Sequence, residues 1–291
     1  MNSKTALHTA ARAYCQERFR EWMEAYKDLQ IKEKWKVENR FKPGWDYSAE
    51  AYRIFPRYRI DADIQIEVES LMPDSCSTFE ELRSQLVRAC DVAEARLHAE
   101  LNNSNAREAL QEEAEDYRAY VQVLGESDLT NVAPLPFRRV ITKEESKKLW
   151  KKLEDAWGMG GGPWFPLREG QAPPHVIAFH CDYFEAMDGA QLLRKALETR
   201  GIKRIFQLQE FGSPEYEIEL SNLEPAYGSG GEQYSTSEPT DWVVYASHES
   251  SITVCGEWLT TVFKEAWPEW SQRGYGGPYS TEDLRGTWET K

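Results

Sequence analysis

Asp241-Trp242-Val243-Val244-Tyr245-Ala246-Ser247-His248-Glu249-Ser250-Ser251-Ile252-Thr253-Val254-Cys255-Gly256 is the stretch on which the reading of the whole chain turns. Its first seven residues are dense in β-branched and aromatic side chains and predict a strand. His248, Glu249 and Ser250 suit a turn, and residues 251–255 predict the return strand, ended by Gly256. From Glu257 the apolar period lengthens. Trp258, Leu259, Val262, Phe263, Ala266 and Trp267 fall on one helical face, which Pro268 helps to stop. A hairpin joined to an amphipathic helix has apolar surface on both parts and needs further elements to pack on.

The residues before it supply them. Residues 176–184 predict a strand, followed by a helix carrying Leu192, Leu193, Ala196 and Leu197 and ending at Gly201. Residues 204–211 and 216–220 predict paired strands around the turn signal Gly212-Ser213-Pro214. Residues 223–240, rich in Gly, Ser, Glu and Tyr, are long for a connection and suit a segment that covers a site. Thr142-Lys143-Glu144-Glu145 is a capping box, opening a helix with Leu149, Trp150, Leu153 and Trp157. The glycines at 158 and 160–162 read as that helix's C-cap and a hinge, because a phosphate-binding loop would end in Gly-Lys-Ser/Thr. The expected fold for residues 137–270 is therefore α+β, a mostly antiparallel sheet with helices on one face. Residues 271–291, with four closely spaced Gly and Pro, are expected to be a loosely ordered tail.

Residues 1–130 predict a helical domain. Leu7, Ala10, Ala11, Tyr14, Phe19, Trp22, Met23 and Tyr26 form a 3.6-period stripe, with Ser3 as its N-cap. Residues 60–71 and the run after the capping box at Thr78 are helical again, and Ser104 suits the cap of a last helix reaching about Leu124. Proline and asparagine in residues 125–136 mark the boundary.

Composition narrows the function classes. The chain has 291 residues, 29% charged and 12% aromatic, with a net charge of −14. Residues 1–133 carry 18 Lys+Arg against 25 Asp+Glu, and residues 134–291 carry 17 against 24, so no basic domain is hidden by an acidic one. That argues against broad contact with nucleic acid or an anionic membrane and for attraction to a basic protein partner. Cys15, Cys76, Cys90, Cys181 and Cys255 are scattered with no zinc spacing, which suits reduced thiols and a cytoplasmic setting. No cofactor motif is present, and the cofactor is left open.

Three groups of residues could carry chemistry. Arg53, Arg57 and Arg59 interleave with Tyr52, Phe55 and Tyr58, so Arg53, Arg57, Arg59 and Tyr58 are candidate partner-contacting residues, unless the arginines pair with neighbouring acids. Glu112, Glu113, Glu115 and Asp116 could bind a cation or form a solvated helix face, with no Glu-x-x-His pattern to favour the cation. His180, Cys181 and Asp182 lie near one predicted strand end and His248 and Glu249 at the hairpin tip. If those ends converge, His180, Asp182 and His248 could ligate a metal. His248 and Glu249 with Cys181 could instead form a catalytic set, His248 as base and Cys181 as nucleophile. A satisfied core histidine and a self-contained turn explain the same residues. A nuclease of the PD-(D/E)xK type would want Glu-x-Lys where Glu217-Ile218-Glu219 stands.

Phe55-Pro56-Arg57-Tyr58, Pro134-Leu135-Pro136-Phe137-Arg138-Arg139-Val140 and residues 241–249 together resemble a family of uncharacterised bacterial proteins. The resemblance implies a helical N-terminal part with an α+β part behind it, and carries no activity. The chain is also similar in style to soluble acidic proteins kept beside toxin or phage-defence genes. The leading expectation is an acidic protein-binding factor of that immunity or defence-associated kind. The alternative is a hydrolase, metal- or Cys/His-dependent, with its site between the end of the 176–184 strand and the 247–250 hairpin.

Overall fold

The computed structural model describes residues 2–34, 46–160, 164, 174–210, 214–227 and 231–273. The chain divides into two compact units, Met1–Leu135 and Pro136–Lys291. The expected tail beyond residue 273, the turn around Gly212 and Ser213, and the glycines at 161 and 162 lie outside the described residues.

Among the described residues, four α-helices build the first unit: α1 (Ser3–Lys32), α2 (Ala51–Glu69), α3 (Phe79–Glu100) and α4 (Ser104–Val123). α2 packs against all three others. The core holds Leu7, Ile60, Ile64, Leu82, Leu86, Leu110 and Tyr117. Ala10, Ala11, Ala93 and Ala114 sit among them, and small side chains let helices approach closely. Two caps fall one residue earlier than the sequence suggests: the side chains of Asn2 and Asn103, not Ser3 and Ser104, accept the free N–H groups of α1 and α4. In each case the asparagine directly before the serine supplies the accepting oxygen. Thr78 caps α3 as expected, accepting from Glu81 N–H at 3.1 Å. Pro56 does not break the chain into two helices. It falls in the second turn of α2, where the bond it forfeits is to the Tyr52 carbonyl.

The second unit is a seven-stranded sheet with every pairing antiparallel. Its elements are β1 (Arg138–Val140), α5 (Lys143–Trp157), β2 (Val176–His180), α6 (Cys181–Ala186), α7 (Gly189–Thr199), β3 (Arg204–Gln209), β4 (Tyr216–Glu219), β5 (Gln233–Thr236), β6 (Val243–Ser247), β7 (Ser251–Cys255), α8 (Glu257–Ala266) and α9 (Trp270–Arg273). The strand order is β1-β4-β3-β5-β6-β7-β2. One face carries Ile177, Phe179, Val244, Ile252 and Val254 against Phe184 of α6, Leu193 and Leu197 of α7 and Phe263 of α8. The opposite face places Leu208, Tyr234, Val243 and Tyr245 against Leu149 and Leu153 of α5 and against Trp164. Cover on both faces explains why β6 and β7 are buried at every position and read as nearly continuous apolar runs.

The hairpin and helix expected from residues 241–267 are present as β6, β7 and α8. Gly256 joins β7 to α8 with a φ of +114°, and a Cβ there would lie 2.7 Å from the Asp241 carbonyl oxygen. The capping box at Thr142 is complete, and Gly158 ends α5 in the left-handed conformation. Two readings change. β2 stops at His180, because its side chain turns back to cap α6, so Cys181 and Asp182 open a helix instead of extending a strand. The polar stretch 223–240 contains β5, a strand paired on both sides.

Candidate functional site

The β6–β7 turn is where chemistry-bearing side chains collect. Gln233 pairs with Ala246, so Glu232, one residue before β5, comes level with Ser247 at the end of β6. His248 follows, turned toward that neighbouring strand. Its Nδ1 lies 2.5 Å from Glu232 Oε1 and its Nε2 lies 3.1 Å from Glu249 Oε1. Glu232 is fully buried, and its second oxygen accepts from the Tyr245 hydroxyl. Ser247 donates its hydroxyl to Glu249 and accepts the Glu249 N–H at 3.1 Å, which tightens the turn. Glu210, also buried, donates its backbone N–H to the Glu232 carbonyl at 3.0 Å.

The charges explain one another's titration. Glu232's hydrogen bond raises the His248 pKa, with the negative field of Glu249 adding to it. Burial raises Glu210, and the adjacent Glu232 charge raises it further. Burial and the bond to Glu232 push Tyr245 well above an ordinary phenol, so it stays a donor at neutral pH. A carboxylate taken wholly out of water is costly unless it is paired and hydrogen-bonded. Here an imidazole and a phenol meet that need.

His248 borders a cleft of about 600 Å³. Cys181 and Phe184 of α6, Asp188, Arg194 of α7 and Tyr227 are among the other residues that line it. Arg194 is held by the Leu223 carbonyl at 2.7 Å and Glu224 at 2.6 Å. The Tyr227 ring lies 6.1 Å from the imidazole and is 56% exposed, so it forms an aromatic rim.

The structure brings Cys181, His248 and Glu249 to this region, as the hairpin tip and the start of α6 do converge: Cys181 N–H donates to the Ser250 carbonyl at 2.8 Å. The metal set of His180, Asp182 and His248 is not assembled. Among the described residues, two trios place one ligand atom each within 4.8 Å: His180 with Cys181 and Asp182, and Glu232 with His248 and Glu249. Strand order is the reason. β2 lies beyond β7, while His248 reaches the other way, toward β5. His180 Nδ1 accepts the Asp182 N–H at 3.2 Å, which occupies that ring nitrogen as a helix cap. Cys181 directs its thiol to Asp182 at 3.4 Å, and burial followed by that carboxylate raises its pKa. A thiol raised in this way is a poor nucleophile at neutral pH.

The remaining candidates lie in the helical unit. Arg57 pairs with Glu112 and with Glu113, and Arg59 pairs with Glu100 at 2.9 Å. Tyr58 packs its ring against Phe19 and Tyr26, and Arg53 is exposed. Glu113 leaves the solvated acidic face: it is fully buried and receives Arg18, Trp22 and Arg57.

Sequence reasoning missed Glu232. It sits in a Gly- and Ser-rich stretch, and the available signal was the short Tyr-Ser-Thr run just after it. The chain matches no protein-family model, no curated protein and no solved structure. Among the described residues no helix is long and apolar enough to cross a membrane.

Proposed function

We propose that the α+β unit is a hydrolase working in the cleft beside the β6–β7 turn. His248 is the water-activating group and Glu232 fixes its ring. The observation that carries this reading is the fully buried Glu232 carboxylate on Nδ1 of an imidazole that is 52% exposed at the cleft. A buried acceptor on Nδ1 orients the ring and leaves Nε2, which faces Glu249 Oε1 at 3.1 Å, as the nitrogen for chemistry. Water is the nucleophile in this scheme, since the Cys181 thiol is raised and the Ser247 hydroxyl is committed to Glu249. Five free cysteines support a reducing, cytoplasmic setting. The test is a panel of chromogenic carboxylic esters, phosphoesters and peptides offered to the full chain. Turnover should fall at least about 100-fold in His248→Ala, the usual scale for losing an acid–base group. Cys181→Ser should stay within about tenfold; a loss as deep as that of His248→Ala would move the chemistry to the thiol. Absence of turnover on every substrate class would sink the reading.

A second reading, capture of a protein partner by the helical unit, is favoured by a groove of about 590 Å³ there. Tyr26, Tyr47, Tyr52, Phe55, Tyr58 and Arg59 line it, the aromatic and arginine chemistry that anchors interfaces. The net charge of −14 suits a basic partner, and an immunity or defence-associated role would follow from the partner's identity. Co-purification at physiological salt should yield a stoichiometric partner that Tyr58→Ala releases. An empty pull-down removes this reading and leaves the first untouched.

A further inference from the structure

The β6–β7 turn holds a pair of atoms that an isolated imidazole leaves unexplained. His248 Nε2 faces Glu249 Oε1 at 3.1 Å. A neutral imidazole has one N–H, and Glu232 Oε1 stands 2.5 Å from Nδ1 to receive it. Nε2 then faces a carboxylate oxygen, and a positive centre belongs between them, either the second N–H of a protonated ring or a bound cation. Donors that share a tetrahedral ion at bonds of about 2.0–2.1 Å lie roughly 3.3 Å apart, close to the separation here. The 2.5 Å contact on the other side of the ring is too short for two ligands of one ion and fits a hydrogen bond.

The surroundings favour a cation. Three carboxylates, Glu210, Glu232 and Glu249, are grouped about one imidazole, and two of them are buried. Glu232, His248 and Glu249 each bring a ligand atom within 4.8 Å of the others. Mixed imidazole and carboxylate donors suit divalent ions of intermediate softness better than hard ions, which prefer all-oxygen shells. Behind the ring, Glu232 stands where a metal-bound histidine ordinarily has its outer carboxylate.

We propose that this turn binds a divalent transition ion of the Zn²⁺ class through His248 Nε2 and Glu249 Oε1, with Glu232 orienting the ring from Nδ1. Two protein donors leave coordination positions open toward the cleft for water. With Nε2 on the ion, the ion takes over from the ring the activation of the water that the hydrolase reading invokes, and only this role rests on that reading; the binding itself does not. The turn geometry fixes the two donors before the ion arrives, because Ser247 holds the Glu249 carboxylate and Glu232 holds the imidazole.

The test is calorimetric titration of ZnCl₂ into the full chain after chelator treatment, with MnCl₂ in parallel. One Zn²⁺ per chain is expected, bound more tightly than Mn²⁺. Glu249→Gln and His248→Ala should each weaken it at least about 100-fold, and Glu232→Gln, which removes the outer carboxylate, by about 10–100-fold. Asp182→Asn should leave binding unchanged. No binding by the wild-type chain overturns the inference. So does binding that survives Glu249→Gln but is lost in Asp182→Asn, which would place the ion at His180 and Cys181. Thermal melts accompany each variant. Should His248→Ala lower the melting temperature sharply, Glu249→Gln decides, since that side chain is partly exposed and changes only its charge. Hydrolysis that persists in chelator overturns the ion's role and spares the hydrolase. An ion bound by a chain that hydrolyses nothing does the reverse.

Discussion

Asp61 sits in α2 with both carboxyl oxygens buried and without a hydrogen-bond partner. Burial, then the field of Glu113, raises its pKa from 3.8 to about 9. It is therefore a neutral acid in the folded chain at pH 7, whereas the unfolded chain has released the proton. The sign follows from that difference. Asp61's favourable contribution is complete below pH 3.8, is lost as pH rises, and is gone once pH passes about 9. The slope in that window is about 1.4 kcal/mol per pH unit. Asp61→Asn keeps the shape and removes the titration. It should raise the melting temperature at pH 8, with the gain shrinking as pH falls and vanishing near pH 4. A gain independent of pH would show that Asp61 is ionised inside the fold. The same scale explains what could be read in advance. Glu113 lies three residues after Leu110 and four before Tyr117, on the buried face of α4, so its inward turn was legible in the period. The neighbouring acids Glu112, Glu115 and Asp116 mask that inward position, because the run has the composition of a solvated face. The pairing of His248 with Glu232 was not legible, because sixteen residues separate them and only the register of β5 on β6 joins them.

Elements divide by how much of their burial is apolar. β6 and β7 were readable because cover on both faces demands Val, Ile and Tyr throughout. β5 is buried too, but with Ser235 and Thr236, so its strand signal is confined to the short Tyr-Ser-Thr run in a Gly- and Ser-rich setting. The end of β2 is hidden in the sequence because Cys181-Asp182-Tyr183-Phe184 continues the β-like composition past a helix cap that only geometry reveals. The β7–α8 joint permits a sharp prediction. Gly256 has φ +114° and a backbone oxygen 2.7 Å from where a Cβ would stand, whereas Gly201, at φ +75°, has nothing within 4 Å. Gly201→Ala should cost about 1–2 kcal/mol, the penalty of the left-handed conformation alone. Gly256→Ala adds a clash with the Asp241 carbonyl that no side-chain rotation relieves, for roughly 2–5 kcal/mol in total. Urea denaturation of both variants checks the order. Equal losses would mean that the joint can shift to admit a methyl group.

At the scale of the whole chain, each unit carries its own means of folding. The helical unit closes a core running from Ala6 to Leu129, with Tyr117, Leu86 and Ile64 fully buried. The α+β unit closes two, one on each face of its sheet, with Phe179 and Phe263 in one and Tyr234 and Tyr245 in the other. Units of this size bury enough apolar surface to offset the entropy of ordering their chains. Fragments 1–135 and 136–291, made separately, should therefore each give a cooperative thermal transition. The shorter should have a strongly helical circular dichroism spectrum and the longer a mixed one. The two outcomes bear differently on function. A folded 136–291 fragment should retain the His248 chemistry and the Zn²⁺ titration, since Glu210, Glu232, His248, Glu249 and Tyr227 all lie within it. Partner capture should follow the 1–135 fragment, which contains the whole aromatic groove. If 136–291 folds but loses both turnover and ion binding while the full chain has them, the site needs a group from residues 1–135, and the assignment of donors to the β6–β7 turn is incomplete.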